Sequence, residues 1–196
     1  MKAFARAGGR LRTLPFQARL VYSIFLVFTL VALALTAWLG AEMVGADLSH
    51  VDEYYAGGKS PAQPNPGPAE PGPKLDLPDE ALAQPVADPM PTRKLLEVTH
   101  FHLFSMPVYL VILSHLFMLG SWSMRSKTFW IGAGSVAVAL HIAAPWLARS
   151  AAAGSRLLYG MSGGLLALSF LVMSFVPLIE MWKPARGRPE SNPPPT

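Results

Sequence analysis

Cysteine is absent from the 196 residues. That excludes disulfides, thiolate zinc sites, iron–sulfur ligation and covalent c-type haem attachment. Charge is scarce as well: Asp, Glu, Lys and Arg make up 14% of the chain, where a soluble domain carries about a quarter. The shortage is local, because four long stretches hold none of these residues and the charges crowd between them. Such a distribution excludes an ordinary soluble globular domain and marks an integral membrane protein. No GxSxG, Walker loop, HExxH or paired catalytic carboxylates occur, which sets aside hydrolytic and phosphoryl-transfer chemistry. The basic residues flank apolar runs instead of forming one soluble patch, so the net charge of +4 does not signal nucleic acid. Without an inverted repeat or an internal charged pair, the chain also makes a poor transporter.

The apolar stretches predict transmembrane helices over residues 20–41, 98–124, 128–148 and 157–182, each reaching the ~20 residues that cross a bilayer. The expected fold is therefore an all-α integral membrane protein, a four-helix antiparallel bundle. The first run is too long for a signal-peptide core and reads as a retained anchor. Residues 1–19 carry Lys2, Arg6, Arg10, Arg12 and Arg19 without an acid, whereas residues 41–97 carry ten acids against four bases. By the positive-inside rule both termini are cytoplasmic and the acidic segment 42–97 is external, in a bacterial inner membrane. The short loop from Arg149 to Arg156 argues mildly for the opposite orientation. Within the external segment, residues 60–91 contain ten of the nineteen prolines and are expected to be extended. Asp47–Tyr55 has the character of a short helix or docking patch, and the tail 183–196 is expected to be disordered.

Four of the five histidines, His100, His102, His115 and His141, fall in or at the edge of the spans. Ionisable residues inside a membrane are costly and are functional candidates, although a neutral histidine bonded across a helix interface is the plainer alternative. At ~1.5 Å per residue, His100 and His102 lie about 3–6 Å below the outer edge of the second helix, and His141 about 9 Å below that edge on the third. Matching depth on sequential helices makes His141, with His102 or His100, a plausible axial pair for haem iron. His115 is closer to the inner edge. His100 and His115 are ~60° apart around the helix, while His102 and His115 are about 220° apart. Met118 and Met173 are the available sulfur ligands for a second site at His115, though both suit core packing equally well.

This arrangement of His100, His102, His115 and His141 resembles the four-helix b-type cytochromes of respiratory membranes. The resemblance implies haem b held by bundle histidines and electron transfer within a larger respiratory or photosynthetic complex. The best-known members carry two complete histidine pairs. Only one complete pair is present here, so one haem is expected, and a second requires a further ligand for His115.

Two other readings follow from the residues. Glu97, His100 and His102, with His141 nearby, could bind copper or zinc, unless Glu97 merely pairs with Lys94 or Arg93. Alternatively the chain is a non-catalytic accessory subunit whose histidines bond between helices. Glu180 suits an interfacial anchor beside Trp182 better than a proton-uptake group for a quinone site. Tyr54, Tyr55 and the acids around them are candidates for docking a soluble cytochrome c. The chain is thus expected to be an electron-transfer or accessory subunit, with haem b as its cofactor, quinone as a further candidate, and lipid and other membrane subunits as partners.

Overall fold

A computed structural model of the protein describes residues 10–59, 86–150 and 154–184. After a 3₁₀ turn at Arg10–Thr13 come α1 (Phe16–Val44), the short α2 (Val51–Ala56), α3 (Thr92–Leu119), α4 (Met124–Arg149) and α5 (Ser155–Trp182). A two-residue antiparallel ladder, β1 (Gly58–Lys59) with β2 (Val86–Ala87), pairs the two ends of the Pro-rich stretch. Most of the Pro-rich stretch, residues 60–85, and the tail after Pro184 lie outside the described residues. The four long helices are each long and apolar enough to cross a membrane. The protein is an all-α, multi-pass membrane protein built on four transmembrane helices.

The helices overrun the apolar runs because polar residues form their projecting turns. α3 starts at Thr92, six residues before the run, with Pro91 as its N-cap. It also stops at Leu119 instead of continuing to residue 124. Gly120–Ser123 make the turn there, and Ser123 caps α4 by accepting the Ser126 N–H at 3.2 Å. A serine N-cap favours starting the new helix at Met124 over extending the old one.

α5 is the hub, packing on α4, α3 and α1, whereas α1 leans on α5 and reaches α3 through the stacked Phe25 and Tyr109 rings. The interior sets small and weakly polar residues among large apolar ones such as Leu113, Leu116, Phe117 and Met173. Ser114, Ser162, Ser169, Ser174, Gly134 and Ala137 are buried, while Phe101, Phe104, Val111, Phe129 and Leu157 point outward. Packing of this kind suits a bilayer, where close backbone approach and dispersion replace the hydrophobic effect between helices. At Gly134 a Cβ would stand 3.1 Å from the Met173 methyl and 3.2 Å from Leu110, so a larger residue would push α4 away from its neighbours. Some hydroxyls inside the spans bond within their own helix, as Thr29 does on Phe25 O and Ser135 on Ile131 O, whereas the buried Ser169 and Ser174 hydroxyls have no partner among the described residues.

The two ends of the bundle are built differently. At one end Glu180 is buried and accepts the Ser121 N–H at 2.9 Å, with the Arg12 guanidinium 3.7 Å from its other oxygen. The buried Lys127 donates to Met118 O and Gly120 O at 2.8 and 2.6 Å, capping carbonyls that α3 leaves open. At the other end α2 lies across the helices as a cap. Val44, Val51, Tyr55, Leu95 and Ala148 form its small core. Ser155 bonds Asp52 at 2.9 Å and Arg156 donates to Asp47 O at 3.0 Å. Arg149 reaches Met90 O and Thr92. These two arginines, which weighed against the expected orientation, therefore serve as local caps for carbonyls.

The turn into α2 needs its glycine. Gly45 has φ +80°, and a Cβ there would meet Asp47 Oδ1 at 2.9 Å and the His50 ring at 3.2 Å. Leu48 also has a positive φ, 62°, an unusual conformation for a leucine. Its side chain rests directly on Gly160 of α5, where a Cβ would overlap it. That seat holds the strained residue and pins the cap to the bundle.

Candidate functional site

Below the cap, α3 and α4 bring two of the candidate histidines together. The His102 and His141 rings lie 6.2 Å apart between centroids, inclined by 55°. His102 Nδ1 donates to Val98 O, one turn earlier, at 2.7 Å. This leaves Nε2 as the nitrogen with a free lone pair. On His141, Nδ1 is buried without a hydrogen-bond partner. Pro145 lacks an N–H, so the His141 carbonyl also loses its helical donor. Gly163 of α5 faces the ring, 3.9 Å from a would-be Cβ.

The remaining candidates separate from this pair. His100 is exposed on the outer surface of α3 with its ring against Phe104, 4.9 Å between centroids. His115 is exposed on the outside of the same helix. Met173, a candidate sulfur ligand, is fully buried and takes the Ser114 hydroxyl at 3.9 Å. Glu97 is held by Arg93 at 3.2 Å, one turn back on the outside of α3. Among the described residues no group of three or more His, Cys, Asp or Glu is placed to hold a metal ion. Glu97, His100 and His102, the candidate copper or zinc set, do not form such a group: Glu97 pairs with Arg93, His100 packs on Phe104, and His102 faces His141.

A set of tyrosines extends the histidine pair toward the cap. The His141 ring lies 6.1 Å from Tyr159 of α5, Tyr159 5.6 Å from Tyr55, and Tyr55 4.9 Å from Tyr54. The Tyr55 and Tyr159 hydroxyls meet at 3.4 Å. Five rings thus run from the cap surface to His102. Tyr55 is buried, so it does not belong to a surface for a soluble partner, contrary to expectation. Burial, with Tyr159 beside it, pushes its phenol above the usual tyrosine range. Adjacent tyrosines in an acidic segment were visible in the sequence, but their partner lies 104 residues further on.

Glu180 also departs from expectation: it is not an anchor at the interface but a buried tie between α5, the α3–α4 turn and Arg12. Lys127 was legible only as a loop cation.

A family model described as a transmembrane helical domain, Aq_1264_TM, matches residues 45–189. The chain belongs to that family. No curated protein and no solved structure matches it.

Proposed function

We propose that this protein, a member of a family defined only by its transmembrane helices, is a membrane redox subunit holding haem b between His102 and His141, near its capped end. It works within a larger respiratory or photosynthetic complex of a bacterial inner membrane, with its termini on the cytoplasmic side. The observation that carries the reading is the 6.2 Å separation of two imidazoles from adjacent helices. One metal ion between two imidazoles, bound at about 2 Å to each, separates the ring centres by roughly 6 Å. The donor chemistry fits too. His102 has its tautomer set by Val98 O, as a ligating histidine requires, and His141 has a buried nitrogen with no partner in the protein. Bound haem supplies one-electron chemistry. The chain orients the imidazoles, and the cap excludes water from above them.

The test is a dithionite-reduced minus oxidised spectrum of the protein purified with its native complex, with iron assayed on the same sample. A b-type α-band is expected, and it should disappear in His102→Ala and His141→Ala but survive in His100→Ala. A flat spectrum from the intact complex would overturn the reading. The accessory-subunit reading draws on α1, which buries little of its surface within the chain and leaves an apolar flank for other subunits. It predicts a haem-free protein whose His141→Ala variant still assembles.

A further inference from the structure

His115 is out of place on the outer face of α3. It is exposed, and among the described residues nothing hydrogen-bonds to it. It lies four residues, about 6 Å, inside the end of the helix at Leu119. Side chains on a helix lean toward its N-terminus, and α3 begins at the capped end, where Leu95 joins the core of the cap. The imidazole of His115 is therefore aimed toward the middle of the bilayer and away from the nearer surface. His100 is also exposed, but it stands near the beginning of α3, and the same lean carries it toward the interface and water. An imidazole facing hydrocarbon without a partner is costly. His115 thus calls for a polar group at its own depth from outside the chain.

The rest of that face suits another helix. Glu97, Phe101, Phe104, Val108, Val111 and His115 are all exposed and follow at steps of four, three, four, three and four residues. They form a stripe ~80° wide, about 160° around the helix from the buried Leu95 and Leu113. Alternating steps of three and four are the seam of a left-handed helix pair. We infer that this face joins two copies of the chain, parallel in the membrane, with their His115 imidazoles hydrogen-bonded to each other across the two-fold axis.

A second copy supplies what His115 lacks. Neutral imidazole has one donor and one acceptor nitrogen, so the ring is complementary to itself. A two-fold axis along the membrane normal sets both rings at one depth, whereas an unrelated helix would need its own polar side chain there. At the outer end the face carries Lys94 and Glu97, one charge of each sign, so identical faces meet there without net repulsion. The inference does not rest on the haem reading.

The chain has no cysteine, so a single introduced thiol reports its own neighbours. Oxidative cross-linking of the full-length protein in native membranes should convert Val111→Cys to a covalent dimer of twice the chain mass. Val136→Cys, on the exposed side of α4, should stay monomeric. Energy transfer between labelled copies in phosphatidylethanolamine–phosphatidylglycerol vesicles, followed against lipid dilution, then gives the affinity. His115→Ala should weaken association at least threefold, and His115→Gln, which keeps a donor and an acceptor, should restore most of it. Both changes replace an exposed side chain and leave the packed interior of the bundle untouched. His141→Ala should associate as the wild type does, so failure of the haem reading leaves this inference standing. Monomer alone from Val111→Cys, a cross-link to a protein of another mass, equal cross-linking at Val136→Cys, or unchanged affinity in His115→Ala would each overturn it.

Discussion

The two ends of the bundle solve the same problem with opposite chemistry. Where the chain enters at Arg12 and leaves at Glu180, buried ions tie the helices: Glu180 takes the Ser121 N–H, Arg12 stands beside it, and Lys127 holds the last carbonyls of α3. At the other end the ion pairs of His50 with Glu53 and Arg93 with Glu97 stay at the surface, and phenols and imidazoles meet ring to ring beneath the cap. A buried ion must keep its partners, because losing one leaves a desolvated charge. A neutral imidazole has a lone pair to give to something else. The ionic end is built to stay as it is, and the aromatic end is chemically open.

The sharpest test of that contrast is Glu180→Ala, which strips Ser121 of its acceptor and leaves Arg12 and Lys127 without a nearby carboxylate. A loss of about 3 kcal/mol is expected in detergent unfolding, and Glu180→Gln should recover part of it by restoring the acceptor. Tyr55→Ala comes next. Removing a buried aromatic ring costs about 3 kcal/mol, here confined to the docking of α2. It should appear as protease cleavage near residue 50 with the four long helices intact, and Tyr55→Phe should be nearly silent. Gly160→Ala drives a Cβ into Leu48 and should loosen the cap by roughly 1–3 kcal/mol, read by hydrogen exchange in α2.

A pH dependence separates the ends further. The folded-state pKa of Tyr55 is raised, so its contribution is full while the undocked phenol is also protonated. It declines once the pH passes the ordinary phenol value of about 10. Protease sensitivity of α2 should rise there in the wild type and lose that dependence in Tyr55→Phe. The smallest effect belongs to Arg93→Ala. Its pair with Glu97 is exposed, 91% on the Arg side and 53% on the Glu side, and its loss should change unfolding by less than about 0.5 kcal/mol.

Much of the architecture was legible because a bilayer imposes its length on any span and tolerates few charges. The boundaries were less so, since Pro91 and Ser123 set them by capping and not by hydropathy. Equal depth brought His141 together with His100 and His102 as candidates, but the choice between the last two depends on how α3 is rotated. That rotation follows the buried Leu95 and Leu113, which share the His102 face to within ~20° each. In a helix apolar on every side, no pattern distinguishes those leucines from Leu96 or Leu103. The ties of Glu180 to Ser121 and of Tyr55 to Tyr159 span 59 and 104 residues, and neither separation has a periodic signature.

The pairing of α1 with α5 has a consequence for biosynthesis. Because α1 packs on α5, it must wait in the bilayer until the α3–α4 hairpin and α5 have followed it from the ribosome. It is suited to the wait: α1 is the most apolar of the four spans and the least dependent on burial by its neighbours.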